Sequence, residues 1–310
     1  CSSDLLKIGI VFVLLCIAVA LIVEVDSDSG LDACEGEKCA FYQADDLSWF
    51  DSDEDYDEDD SFLKDEHNRV LNKSKATEKI FDNITDLKTF ADTVLKSTSE
   101  TWTKVFASFG NQYRAPKVVY YSGTVDTPCG EGDEDTGPFY CVVNESVYLN
   151  LTFFESMKEV DVNGNFAFAY VIAHEVGHHV QHLTGDLSKY QDIEFKLQER
   201  GKETKANLVS VQSELQADFY AGIWAHYVIA DFEDLSEDDI MNALEASAAV
   251  GDDALGEDRT ENFGHGSSMM RFVWFTRGMA TGDVKYGNTY RYRSLKLLEN
   301  AETFLEDDAE

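Results

Sequence analysis

The spacing of apolar and polar residues divides this chain into three stretches of different character. From Leu5 to Val23 the residues are apolar except for Lys7, and a helix over that run at about 1.5 Å per residue reaches roughly 28 Å, close to the hydrocarbon thickness of a bilayer. From Glu24 to Glu66 apolar residues thin out and acids dominate, most densely in Asp51-Ser52-Asp53-Glu54-Asp55-Tyr56-Asp57-Glu58-Asp59-Asp60. Such a run repels itself and buries too little surface to fold alone, which predicts an extended tether. Periodic patterning resumes from Thr77. A helix is predicted over Thr77 to Phe106, and short strands over Val118 to Ser122 and Val147 to Leu151. Phe166 to Thr184 reads as a helix with an apolar stripe of Phe168, Val171, Ile172, Val176, Val180 and Leu183. Asn163 or Asn165 is placed to cap it and Gly185 to end it in a left-handed turn. Further helices are expected from about Asn207 to Ala230, from near Ser236, and after a capping Ser267 or Ser268 through Met269, Phe272 and Phe275. The expectation is an α+β, mainly helical fold in three parts: an anchor at 1–23, an acidic linker at 24–76 and one domain at 77–310. About 230 residues suffice for a substantial single core. No internal repeat is visible.

Within the third stretch, the helix at 166–184 carries Ala173-His174-Glu175-Val176-Gly177-His178. Residues i and i+4 lie about 40° apart around a helix, so both imidazoles aim at one spot with the glutamate beside them. A catalytic zinc takes three protein ligands and leaves a position for water. The candidate for the third is Glu214, in Ser213-Glu214-Leu215-Gln216-Ala217-Asp218 on the next long helix. Asp218 lies four residues on, placed to accept a hydrogen bond from the free ring nitrogen of a ligand histidine and fix its orientation.

At these residues the chain resembles a known family. Ala169-Tyr170-Val171-Ile172-Ala173-His174-Glu175-Val176-Gly177-His178-His179-Val180-Gln181 is similar to the core of the neutral zinc metallopeptidases, membrane-anchored proteins with a zincin-like fold. The similarity continues upstream in Gly137-Pro138-Phe139-Tyr140-Cys141, Val147-Tyr148-Leu149 and Phe153-Phe154. Downstream it includes Glu214 to Gly222, Gly251-Asp252-Asp253 and Phe263-Gly264-His265-Gly266-Ser267-Ser268, so that it covers roughly Thr77 to Asp283. It implies a zincin-like metallopeptidase domain with His174, His178 and Glu214 as Zn2+ ligands and Glu175 as general base. One departure is Phe219, where the family often has Cys.

The chemistry expected of such a site is hydrolysis of peptide bonds in a protein or peptide substrate, the metal activating water and Glu175 moving its proton. An oxyanion donor would assist. His265, between two glycines, is the candidate, against the alternative of a histidine that packs or bonds to backbone in a glycine turn. His179, His182 and His226 are read as non-ligands, and His67 carries no signal. The second functional reading is a non-catalytic zinc-binding scaffold or recruitment protein of the cell envelope; the uncoordinated Glu175 argues against it.

The expected location is a single-pass membrane protein with its catalytic domain outside the cytoplasm. Lys7 precedes the apolar run and Glu24, Asp26 and Asp28 follow it, which keeps the short N-terminus inside. A cleaved signal peptide ending near Ala18-Val19-Ala20 is the rival, weakened by Leu21, Ile22 and Val23 continuing the apolar run; Cys1-Ser2-Ser3 also resembles a mature lipoprotein start. Cys16 falls within the span. Cys34 with Cys39, and Cys129 with Cys141, make two close pairs suited to disulfides in an oxidising compartment, with zinc binding by these four as the alternative. The chain carries 60 acidic against 25 basic residues and a formal charge of -35, which makes nucleic acid and anionic lipid poor partners and suits a basic substrate or a saline habitat. Asn72, Asn83, Asn144 and Asn150 stand in glycosylation-type sequons.

Overall fold

The computed structural model describes residues 87–133, 136–154, 165–231, 247–248, 251–257 and 259–301. The expected anchor and tether, the start of the helix from Thr77, the Asn163 cap, the helix near Ser236, Cys34 with Cys39, and the sequons at Asn72 and Asn83 lie outside these residues. The main described helices are α1 (Leu87–Ser108), α2 (Asn165–Thr184), α3 (Asp186–Glu199), α4 (Glu203–Asp231), α5 (Ser268–Thr281) and α6 (Leu295–Glu299). Five short strands accompany them: β1 (Lys117–Tyr121), β2 (Val125–Thr127), β3 (Gly130–Gly132), β4 (Phe139–Cys141) and β5 (Ser146–Asn150). The architecture is α+β and mainly helical. No described helix is long and apolar enough to cross a membrane.

Strand β5 is the middle of a three-stranded sheet, parallel to β1 with Lys117 opposite Ser146 and antiparallel to β4 with Cys141 opposite Ser146. All of β5 is buried, as expected of a central strand backed by helices. Strands β2 and β3 form a separate hairpin, and a Cys129–Cys141 disulfide staples its turn to the end of β4. That bond removes these two thiols from the zinc-binding alternative. Two sequons take structural roles. Buried Asn150 donates from Nδ2 to the Asp133 carbonyl at 3.0 Å and accepts from the backbone of Thr152 and Phe153, while Asn144 donates to the Tyr148 hydroxyl at 2.8 Å.

Helix α2 differs from its predicted pattern in one instructive way. Instead of one buried stripe, every residue from Ala167 to Val176 is buried, because α1, α4 and the sheet pack around it. A helix apolar on all sides belongs at the centre of a core, and His174 and Glu175 are buried by that position. Gly185, at φ 90, follows the helix in the left-handed conformation expected of it. Helix α4 is buried continuously from Leu215 to Ala225. Phe219, the departure from the resemblance, is fully buried against Trp274, with ring centroids 6.3 Å apart.

Two glycine contacts set the helix spacing. At Gly222 and Gly278 the backbones of α4 and α5 touch, since a Cβ on Gly222 would overlap the Phe275 carbonyl and one on Gly278 the Phe219 carbonyl. At Gly177 the same occurs between α2 and α4, where a Cβ would stand 2.8 Å from the Ala217 carbonyl oxygen and 3.0 Å from its Cα. Gly177 adjoins His178 and Ala217 adjoins Asp218, so this contact sets how near the two halves of the candidate site come.

Glycine inside a helix normally costs about 0.5–1 kcal/mol relative to alanine, so Gly→Ala at an open helical position stabilises. At Gly177 the sign reverses: Gly177→Ala forces the helices apart and should cost about 1–3 kcal/mol, as overpacking does. Thermal denaturation of the metal-free protein checks this, and a higher melting temperature would contradict the packing described.

Candidate metal centre and active site

His174 and His178 leave α2 toward α4, where Glu214 meets them. His174 Nε2 lies 3.2 Å from Glu214 Oε2, and His178 Nε2 lies 3.3 Å from Glu214 Oε1. Their ligand atoms all fall within 4.8 Å of one another. Two atoms each about 2.0–2.1 Å from a tetrahedral zinc stand roughly 3.3 Å apart, so the spacing fits. The donor set, two imidazoles and a carboxylate without thiolate, is one that binds a catalytic rather than a closed structural zinc. No second such group occurs among the described residues.

The remaining ring nitrogens are held by different chemistry. His174 Nδ1 donates to Asp218 Oδ1 at 2.7 Å, whereas His178 Nδ1 donates to the neutral Gln181 Oε1 at 2.8 Å. With Nδ1 donating in each ring, Nε2 is the atom left for a metal. Gln181 in turn donates to the Ser213 carbonyl at 2.7 Å and to Gln216 Oε1 at 2.9 Å, tying His178 back to α4.

Asp218 is wholly buried and fully engaged. Arg271 of α5 grips it with two hydrogen bonds, Nε to Oδ2 at 2.9 Å and Nη2 to Oδ1 at 3.0 Å, and the Tyr170 hydroxyl donates to the same Oδ1. Burial alone would push the Asp218 carboxyl up; Arg271 first, then His174, outweigh it and hold it below the usual range. Burial likewise pulls His174 down, but the Asp218 charge and hydrogen bond, with Glu214, carry it up to about 10 in the metal-free protein. His178 is also raised, Glu214 overcoming burial. Glu214 is held well below the usual carboxylate range, His178 and His174 overcoming burial.

Glu175 lies beside this cluster, 8% exposed, and no hydrogen bond to another described side chain claims its carboxylate. Burial raises its pKa against the opposing pull of His174 and His178. His265 stands on the loop before α5, its side chain 57% exposed, with Nδ1 on Asp252 Oδ1 at 3.1 Å and Glu214 near enough for its charge to act on the ring. Ser267, one of the two expected caps, accepts from the Met270 amide at the start of α5.

The other described histidines are engaged elsewhere. His179 is fully buried between the Tyr140 hydroxyl and the Arg114 carbonyl, and burial lowers its pKa to about 4. His182 faces Glu145 at 3.4 Å, and His226 bonds to the Met279 carbonyl at 2.8 Å. Sequence reasoning passed over Arg271, Tyr170 and Gln181. Gln181 had a signal, lying three residues after His178 on the same helix face. Arg271 had a weaker one, as a charge among Met270, Phe272 and Val273 on a buried helix.

The chain has relatives among known proteins. An Escherichia coli (strain K12) relative, the uncharacterized protein YpfJ, is 38% identical over 226 residues, covering 71% of this chain and 77% of its own length. An uncharacterized Mycobacterium tuberculosis (strain H37Rv) protein is 39% identical over 194 residues, 57% of this chain and 63% of its own. No solved structure matches. The profile of a family described as "Putative neutral zinc metallopeptidase" matches residues 57–290, and the chain belongs to that family.

Proposed function

We propose that this protein is a zinc-dependent peptidase of zincin-like design. His174, His178 and Glu214 hold the metal, Glu175 serves as general base and Asp218 orients His174. The observation that carries the reading is the pairing of an open two-histidine, one-carboxylate cluster with a buried, uncoordinated glutamate next to it. A structural zinc site closes on four ligands and has no use for that uncoordinated glutamate.

Zinc in this site would supply a Lewis acid that polarises the scissile carbonyl and brings the pKa of water from about 15.7 to about 7. The chain's own groups do the rest. Glu175 accepts the proton of the attacking water and returns it to the departing amine. Asp218, charged by its bonds to Arg271, keeps the His174 ring turned with Nε2 inward. His265 provides a donor for the oxygen that becomes negative at the tetrahedral stage. The reading includes a membrane anchor at Leu5 to Val23 and a catalytic domain outside the cytoplasm, supported by the apolar run and by the Cys129–Cys141 disulfide.

Two outcomes test it. His174, carried up to about 10 without metal, holds a proton at pH 7 that zinc must expel, since only neutral imidazole coordinates, and Glu214 shifts His178 in the same direction. Zinc affinity should therefore rise with pH, about tenfold per unit for each proton released, and fall in acid. Titration calorimetry in two buffers of different ionisation enthalpy reads that release; zinc binding without it would contradict the arrangement. Glu175→Gln should retain one zinc per chain while lowering kcat on a cleaved peptide by about 10²–10⁴-fold. Undiminished cleavage by this variant rules out Glu175 as base, and zinc binding with no cleavage even by wild type favours a scaffold.

A further inference from the structure

Outside the candidate metal cluster, a second polar network lies where residues 251–253 meet the loop 263–268. Asp252 Oδ2 accepts three successive backbone amides, Gly264 at 2.9 Å, His265 at 2.7 Å and Gly266 at 2.9 Å, while the Asp252 amide donates to the Gly266 carbonyl at 2.9 Å. Three consecutive N–H groups converging on one oxygen form an anion-binding nest, here filled by a side chain of the same protein. Asp252 Oδ1, the other oxygen, accepts from His265 Nδ1 at 3.1 Å. Neighbouring Asp253 clamps the loop at a second point, accepting from the Ser268 amide at 2.7 Å and its hydroxyl at 2.8 Å. Gly251 has no room for a side chain, since a Cβ there would overlap the Ser268 amide.

This clamp packs on the helix that carries Glu214, whose charge acts on the His265 ring. Gly266, at φ +90, lies against Val211 and Leu215, on the turn of α4 that carries Glu214. His265 Nε2 has no hydrogen-bond partner among the described residues, on a side chain 57% exposed. One oxygen of Asp252 thus fixes the loop backbone, the other fixes the ring carried by that loop, and the opposite ring nitrogen is left for a ligand.

We propose that Asp252 is the positioning residue of the oxyanion donor, holding His265 so that Nε2–H points at the carbonyl oxygen of a bound peptide. This rests on the peptidase reading and adds to it an aspartate–histidine pair supplied by a different segment from the metal ligands. Because Nδ1 already donates to Asp252, a proton on Nε2 makes the ring an imidazolium, the form a nearby carboxylate favours. The His265 pKa is raised, the Asp252 hydrogen bond outweighing burial. Asp252 is held low, burial being overcome by the side-chain and backbone bonds from His265.

A double-mutant cycle on the zinc-loaded protein tests the assignment. Asp252→Asn keeps an oxygen for the three amides but presents an NH₂ that cannot accept from Nδ1. It should lower kcat by about 10- to 100-fold with KM within about twofold, the scale of outer partners that orient a catalytic-site histidine. His265→Ala should lower kcat by about 10²–10³-fold. In the His265→Ala background, Asp252→Asn should cost nothing further, because its effect acts through that ring. Asp253→Asn loosens the same loop without touching the ring, so any loss it causes should add to that of His265→Ala. Nitrogen-15 shifts of the His265 ring, readable without activity, should change in Asp252→Asn and stay in place in Asp253→Asn. Additive losses for Asp252→Asn, or an unchanged ring signal, overturn the assignment while leaving the peptidase reading intact. Absence of cleavage by the wild type overturns both.

Discussion

The close approach of α2 and α4 at Gly177 and Ala217 is the constraint on which the centre depends. A glycine inside a helix sacrifices stability unless something needs the missing Cβ, and here the Ala217 backbone occupies that space. The contact lies one residue from His178 on α2 and one from Asp218 on α4. With the helices that near, the two histidines reach Glu214 across the gap at 3.2 and 3.3 Å, a separation a single tetrahedral cation spans. The glycine between the histidines is thus as much a part of the site's geometry as the ligands are.

Placing such a site in the core requires burying charge, which is costly unless each charge is matched. The structure meets this with a layered arrangement. Arg271 neutralises Asp218 through two hydrogen bonds, Tyr170 donates to the same carboxylate, and Asp218 steadies His174. On the other side a carboxamide, Gln181, performs the equivalent task for His178. One ligand histidine is therefore backed by an anion and the other by a neutral dipole. In the proposed zinc site such an asymmetry would make His174 the more electron-rich donor and limit the negative charge gathered around the metal. Glu175 is buried with no such partner among the described side chains, and burial raises its proton affinity.

Much of this was legible before any coordinates. The 3.6-residue period located α2 and α4 to within a few residues, and the short runs rich in valine and tyrosine located β1 and β5 to within one. The spacing His174, Glu175, His178 and the pair Glu214, Asp218 pointed to one place because helical geometry turns sequence separation into direction. Other features resisted for physical reasons. The stripe on α2 understated its burial, since periodicity cannot distinguish a half-buried helix from a central one when the remaining face is alanine and histidine. Helix α3 carries a weak apolar pattern and went unassigned, although Leu187, Tyr190 and Leu197 are buried along it. Asp252 and Arg271 act over long sequence separations, 13 and 53 residues from their partners His265 and Asp218, where local pattern contains no information.

In the proposed site one metal ion joins α2 to α4 through His174, His178 and Glu214. X-ray absorption at the zinc edge of the loaded protein tests it most directly. The spectrum should show a shell of nitrogen and oxygen neighbours at about 2.0–2.1 Å, two of them with the outer-shell signature of imidazole, and no sulfur. His178→Ala should remove one imidazole from that signature. A sulfur shell at about 2.3 Å, or a spectrum unchanged by His178→Ala, would contradict it.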